Sequence, residues 1–408
     1  MSAVTVTETT IEGAGHAPVP RLAKIRAGLG QRVLFVPAGQ TVTLPPAAEY
    51  EAVEVAGTLR FSREHDTQLR TIDLAILPGG WLDMGTPAEP LVRRAEIVFR
   101  DAPLLCGTDG ALGPDPEQFG NGLLCWGVLS IHGRPLTKTW LHMDPLYQPG
   151  ATALLTETPT DWNVGDELLI PDTRLPFDLR GPQDWHRERR RESPVTIAAI
   201  DGIAVTLSKP LDFEHKAWRG VEPLVANATR NIVFRSENPH GTRGHVMFMG
   251  HAQADVRYAA FLGLGRTTAE PLDSFAAATL HVGKNQIARY AVHWHHVHGH
   301  ATLLGDKTGI FLGNYGDGNH VGKWFCVQHG THDLFISENV AKDFVGSCYV
   351  AEDGYEVRGS YTNNLAIGCR GNGFNGKGNI VRNSPGGEGS GFWFHGSEHY
   401  FRDNTAVE

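Results

Sequence analysis

A chain of 408 residues that is 41% hydrophobic, 20% charged and 9% aromatic can bury one large core or two to three small ones, which excludes a disordered chain. Its 48 glycines, about 12% where roughly 7% is usual, follow no Gly-X-Y period, so collagen is excluded. A formal net charge of -9 argues against nucleic acid as the main partner, and no apolar run reaches the roughly 18 residues of a membrane span.

The first ten residues have neither a basic start nor an apolar stretch, so no signal peptide is visible. That reading predicts a cytoplasmic protein if the start is native, and a secreted one if a leader has been removed. Residues 1–30 are polar with Pro18 and Pro20 and are expected to form a loose arm or a cap. Beyond them the apolar runs are short, β-branched and broken by Gly, Asn, Asp and Pro, which predicts many short strands. Strand–turn units recur at Gly39, Gly57 and Gly79, 18 and 22 residues apart, a repeat length that suits a β-solenoid. The charged run Trp185–Glu192 reads as a solvated insertion, or as a basic lip for an acidic ligand. The pattern resumes through Cys326–Gly330, Leu334–Val340, Cys348–Gly354 and Asn363–Gly368. Asn residues at these turns can stack in ladders. The fold expected is all-β: a right-handed parallel β-helix, preferred over a β-sandwich because the turns do not mark hairpins. The last residues follow a strand-like run directly, which predicts an end coil covered by a partner or a chain that has been cut. Five cysteines at wide spacings, with no CxxC pair, are expected to be mostly small buried residues of a reducing compartment.

Several strings, in this order along the chain, carry a family likeness. They include Val36–Val42, Gly57–Phe61, Gly79–Thr86, Trp162–Ile170, Thr229–Phe234 and Gly244–Met249, followed by Arg289–His295, Val327–Gly330 and Glu352–Gly354. From about residue 30 to 370 the chain resembles the eight-glycine-domain, β-helix family of the cell-migration-inducing hyaluronan-binding protein, its transmembrane hyaluronidase relative and fibrocystin. The resemblance implies a glycine-rich eight-glycine module over 31–160 leading into a right-handed parallel β-helix over 161–408. It also implies a link to glycosaminoglycan binding or depolymerisation.

The chemistry concentrates late in the chain, since 14 of the 20 histidines fall between His240 and His399. On a strand, residues i and i+2 share a face, so His293 and His295 present two imidazoles side by side while Val292 and Trp294 point to the core. Such a pair suits Zn first, with Cu, Fe, Mn or Ni as alternatives. Neighbouring coils lie about 4.8 Å apart, so His329 and His245 are the expected third and fourth ligands. Strict alternation places His329 with Val327, which predicts an inward side chain unless the chain turns before Gly330. His296, His298 and His300 fall on the opposite parity and are expected to support the ligands or touch substrate. His16, His65, His186, His215 and His320 are expected to be ordinary exposed or hydrogen-bonded residues.

Glu352 and Asp353 are the catalytic candidates, as a carboxylate ligand and a general acid/base, with Asp317, Asp343 and Glu356 as further acids. His298, Arg289, Trp294 and Arg358 are the expected substrate contacts, and Arg370 is a further cation for a uronate. Tyr315, Trp324, Tyr349, Tyr355, Phe374 and Trp393 are either sugar-stacking faces or core. No GxSxG elbow, Walker loop or HExxH occurs. The reading is a metal-dependent β-helix hydrolase or lyase acting on a polysaccharide, with a glycan-binding module or a small-molecule metalloenzyme as alternatives. An oligomer is compatible with it.

Overall fold

The computed structural model describes residues 22–108, 111–173, 193–268, 272, 285–298, 305–371 and 389–407. The expectations placed on residues 1–21, on Trp185–Glu192, and on His16, His186, His300 and Phe374 lie outside these. Short strands that alternate inward and outward side chains cannot bury their apolar face alone, so they stack. They do so in three parallel sheets of nine strands each, which form the three faces of a β-helix. The first face runs from Val33–Val36 to Phe392–Phe394, the second from Thr41–Thr43 to Tyr400–Arg402, and the third from Ala47–Glu49 to Thr405–Val407. The all-β solenoid read from the sequence is therefore present.

Inward residues fill one continuous core. Phe234 stacks on Phe261 at 5.2 Å, Phe325 on Phe344 at 5.0 Å, and Tyr349 on Phe392 at 4.9 Å between ring centroids. Between the second and third faces the expected asparagine ladder forms. Asn314, Asn339, Asn364 and Asn404 stack on successive coils, each Nδ2 donating to a strand carbonyl and, from Asn314 to Asn364, also to the next Asn Oδ1. The same Oδ1 atoms accept backbone N–H groups from the coil before, so the turns pair the buried N–H groups of Asn314, Asn339 and Asn364.

The division expected at residue 160 does not mark a break in the solenoid, because all three sheets continue through both segments. Instead the fourth coil is interrupted after Val128–His132 and resumes at Ile232–Ser236. The intervening chain builds a six-stranded antiparallel sheet in the order 140–142, 224–227, 167–169, 195–201, 204–207 and 152–154. That sheet has its own apolar core around Leu141, Leu168, Ile197 and Val205. It is tied to the solenoid where Thr139 Oγ1 donates to Glu338 O (2.6 Å) and Trp140 Nε1 to Asn363 O (2.9 Å).

The described part of the N-terminal arm is ordered. Helix Leu22–Gly28 lies on the outside of the first face, with Leu22 against Leu124, Met247 and Met249. Its buried Arg26 donates to Asp73 at 2.7 Å. The cysteine expectation is corrected in part: Cys348 and Cys369 form a disulfide, while Cys106, Cys125 and Cys326 are buried. Sequence spacing could not show that the two ends of one coil meet. Among the described residues no helix is long and apolar enough to cross a membrane.

Candidate metal centre

Strand Val292–Val297 lies on the first face between Val246–Gly250 and Cys326–His329. Val292 and Trp294 point inward, as alternation requires, and His293 and His295 point out. Register places Met247 and Met249 beside them on the preceding coil, and Val327 and His329 beside them on the next. The outer row thus changes from methionine under the helix to histidine at His295 and His329. The inward orientation expected of His329 is corrected here. Cys326 and Gln328 take the core positions, so Val327 and His329 both face out without any turn.

The three imidazoles converge. Ring centroids are 5.0 Å apart for His293–His295, 4.9 Å for His295–His329 and 5.7 Å for His293–His329. One ligand nitrogen from each lies within 4.8 Å of the others. His293 is fully buried, and its Nδ1–H donates to Ala288 O at 2.9 Å. Its Nε2 lone pair is then left buried with no hydrogen-bond partner among the described residues. Burial, followed by the neighbouring His295 and His329, pushes the His293 imidazole well below its usual range. It therefore stands neutral, the form a metal ligand needs. This orphaned nitrogen, aimed into a three-histidine cluster, is the fit expected for a transition metal.

Two carboxylates close the other side. His329 Nδ1–H donates to Glu352 at 3.1 Å, and Asp353 lies 3.4 Å from His329 Nε2. Burial lowers the His329 imidazole, but the hydrogen bond to Glu352 and the charges of Glu352, Asp353 and Glu356 outweigh it and raise the group above its usual value. Glu352 is held in turn by the Tyr290 hydroxyl at 3.3 Å. Tyr290 is buried and packs edge-on against His293, and burial first, then Glu352, keeps its phenol well above the ordinary range.

His296 is also corrected. A register shift between Met249↔His295 and Gly250↔Val297 makes it the bulged residue, with φ of 48°. The bulge brings its ring to 4.6 Å from His295 and 4.7 Å from His329, on the ligand side of the strand. Gly330 leaves the room: a Cβ there would lie 2.2 Å from His296 Nδ1. His298 follows as an exposed residue whose N–H donates to Gly250 O.

Four expected site residues stand elsewhere. His245 is buried one strand position before Val246, with Nδ1 donating to Asn121 O at 3.1 Å, and it is outside the three-histidine group. Trp294 is fully buried in the core against Phe248 at 4.3 Å, so it offers no face to substrate. Arg289 is 4% exposed and spends its guanidinium on the Gln118, Glu117 and Ile287 carbonyls. Arg358 is exposed but paired with Asp333 through two 2.7 Å contacts. Among the remaining candidates, Asp317 and Asp343 belong to an ion-pair network with Lys342. Tyr315, Trp324 and Tyr349 are buried, whereas Tyr355 is exposed. Arg370 is exposed, with its N–H on Phe344 O. Sequence reading missed Tyr290, whose only signal is its place three residues before His293.

The fold and this cluster define a parallel β-helix protein with a histidine-rich centre on its first face. The family model for the G8 domain matches residues 29–144, and the model named CEMIP beta-helix matches residues 276–408. The chain belongs to this G8-domain β-helix family. A G8 domain-containing protein of Dictyostelium discoideum is 27% identical over 249 residues, covering 60% of this chain and 15% of its own length. A second from that organism is 24% identical over 345 residues, covering 82% of this chain and 27% of its own. Fibrocystin-L of Homo sapiens is 25% identical over 380 residues, covering 82% of this chain and 8% of its own. The chain thus spans between 8% and 27% of the length of these relatives.

Proposed function

We propose that this protein is a metal-dependent β-helix enzyme that cleaves or modifies a polysaccharide, with an acidic, hyaluronan-like chain as the first substrate class. The carrying observation is the convergence of His293, His295 and His329 within 4.8 Å, with an orphaned buried nitrogen on His293. These three residues would hold a divalent transition ion, zinc first, and Asp353 stands beside His329 at the edge of the cluster. Such an ion supplies Lewis acidity to an oxygen of substrate or water. Glu352 orients His329 through Nδ1, the arrangement by which carboxylates fix ligand histidines. Asp353 has the exposure and position to hold or release a proton at the substrate side. The polysaccharide class rests on the family resemblance. The Cys348–Cys369 disulfide supports a location in an oxidising compartment.

Elemental analysis of untagged protein, purified without added metal, tests the centre. The expected result is near one equivalent of a transition metal, lost in a His293→Ala/His295→Ala double variant whose β-sheet circular dichroism is retained. Metal content unchanged in that variant overturns the site, and no metal even after reconstitution leaves a glycan-binding module. Incubation with hyaluronan and with a neutral polysaccharide, read by product size, tests the substrate class. Asp353→Asn is expected to lower turnover with binding intact.

A further inference from the structure

We propose that Glu356 is a positioning residue for the metal centre, a role that rests on reading the three histidines as ligands. Glu356 is 1% exposed, so its charge sits away from water and needs dedicated partners. Among the described residues it has three, all backbone. Its Oε1 accepts the N–H groups of Gly330 and Asp353, both at 3.0 Å, and its Oε2 accepts the N–H of Gly354 at 2.9 Å. Gly330 directly follows His329 on one coil, and Asp353–Gly354 directly follows Glu352 on the next.

The reason a carboxylate is needed lies in the turns. Gly330 and Gly354 both have positive φ, 56° and 84°, where the chain leaves the strand. Their N–H groups, with that of Asp353, are not used in the ladder and all reach one buried point. A neutral acceptor would satisfy fewer of them and more weakly than an ionised carboxylate does. The consequence falls on the site. Asp353 lies 3.4 Å from His329 Nε2, a contact between side chains on adjacent coils. The Glu356 carboxylate is the link that joins the backbones from which those side chains depart, and it fixes their separation before any ion binds. Gly330 also opens the space that the His296 ring fills, so the same link holds the bulged histidine in place.

The test uses the full chain, stripped of metal, with Co2+ alone as the probe, read by its visible spectrum and by titration. Glu356→Gln keeps one oxygen for Gly330 and Asp353 but turns an NH2 group toward the Gly354 N–H. It is expected to weaken Co2+ binding about tenfold and alter the spectrum, and Glu356→Ala about a hundredfold, the range found when outer-shell partners are lost. Val205→Ala, in the core of the antiparallel excursion, is the control: it lowers the melting temperature while leaving spectrum and affinity at wild-type values. A Glu356→Gln protein with wild-type affinity and spectrum overturns the positioning role and leaves the metal reading standing. A wild-type protein that takes up no Co2+ overturns the metal reading. The 15N shifts of the His329 ring then carry the test, and no change in them on Glu356→Gln overturns the positioning role as well.

Discussion

Replacing Asn339 by Ala removes one rung from the asparagine ladder, and the structure fixes the cost. Asn339 is fully buried; its Nδ2 donates to Phe311 O at 2.8 Å and to Asn364 Oδ1 at 2.9 Å. Its Oδ1 accepts Asn314 N–H at 2.8 Å and Asn314 Nδ2 at 3.0 Å. Alanine strands the Asn314 N–H in a dry turn and takes one hydrogen bond each from Asn314 Nδ2, which keeps Val256 O, and from Phe311 O, while Asn364 Oδ1 keeps the Asn339 N–H. At about 1–3 kcal/mol for the stranded N–H and about 1 kcal/mol for each of the two lost hydrogen bonds, the loss is about 3–5 kcal/mol. Urea unfolding followed by far-ultraviolet circular dichroism reads it as a lower midpoint at unchanged slope. Asn339→Asp should be at least as damaging, because a carboxylate cannot donate to Phe311 O and carries charge into the core. A loss below about 1 kcal/mol for Asn339→Ala would refute the claim that the ladder, rather than the apolar stack, secures these turns.

Three further outcomes follow from the same reasoning. Glu352→Gln should weaken metal binding about 10- to 100-fold, because it removes the charge that orients His329, and equilibrium titration checks this. Trp294→Ala should cost about 3–5 kcal/mol of stability, as a buried ring lost from the core, with no effect on substrate affinity beyond that of unfolding; a specific rise in KM at unchanged stability would return Trp294 to the site. Burial pushes the Asp83 carboxyl up, but hydrogen bonds from Arg63, Arg60 and the Gly85 N–H outweigh it and hold it below the ordinary range. Its contribution is therefore present above the unfolded value of about 3.9 and lost as pH falls through the lower folded one. Melting temperatures of wild type and Asp83→Asn should accordingly converge on acidification, and a gap that widens would contradict the sign.

The sequence by itself determined the fold class and the faces of the first residues of the histidine strand, though not those of His296 and His329. Alternation is local: it places Val292 and Trp294 inward and His293 and His295 outward whatever the rest of the chain does. Asparagine at the turns likewise announces the ladder, since each short amide can serve its own backbone and the next coil. What only the tertiary structure decided is register between coils, because this depends on the lengths of turns and excursions summed over many residues. Register set His329 beside His295, left His245 outside the cluster, and put Met247 and Met249 in the positions where more ligands could have stood. The bulge that swings His296 to the ligand side, the burial of Arg289 under the Glu117–Gln118 carbonyls, and the meeting of Cys348 with Cys369 have the same origin. Each is a contact between segments whose separation along the chain carries no local signal, and it exists only once the coils are stacked.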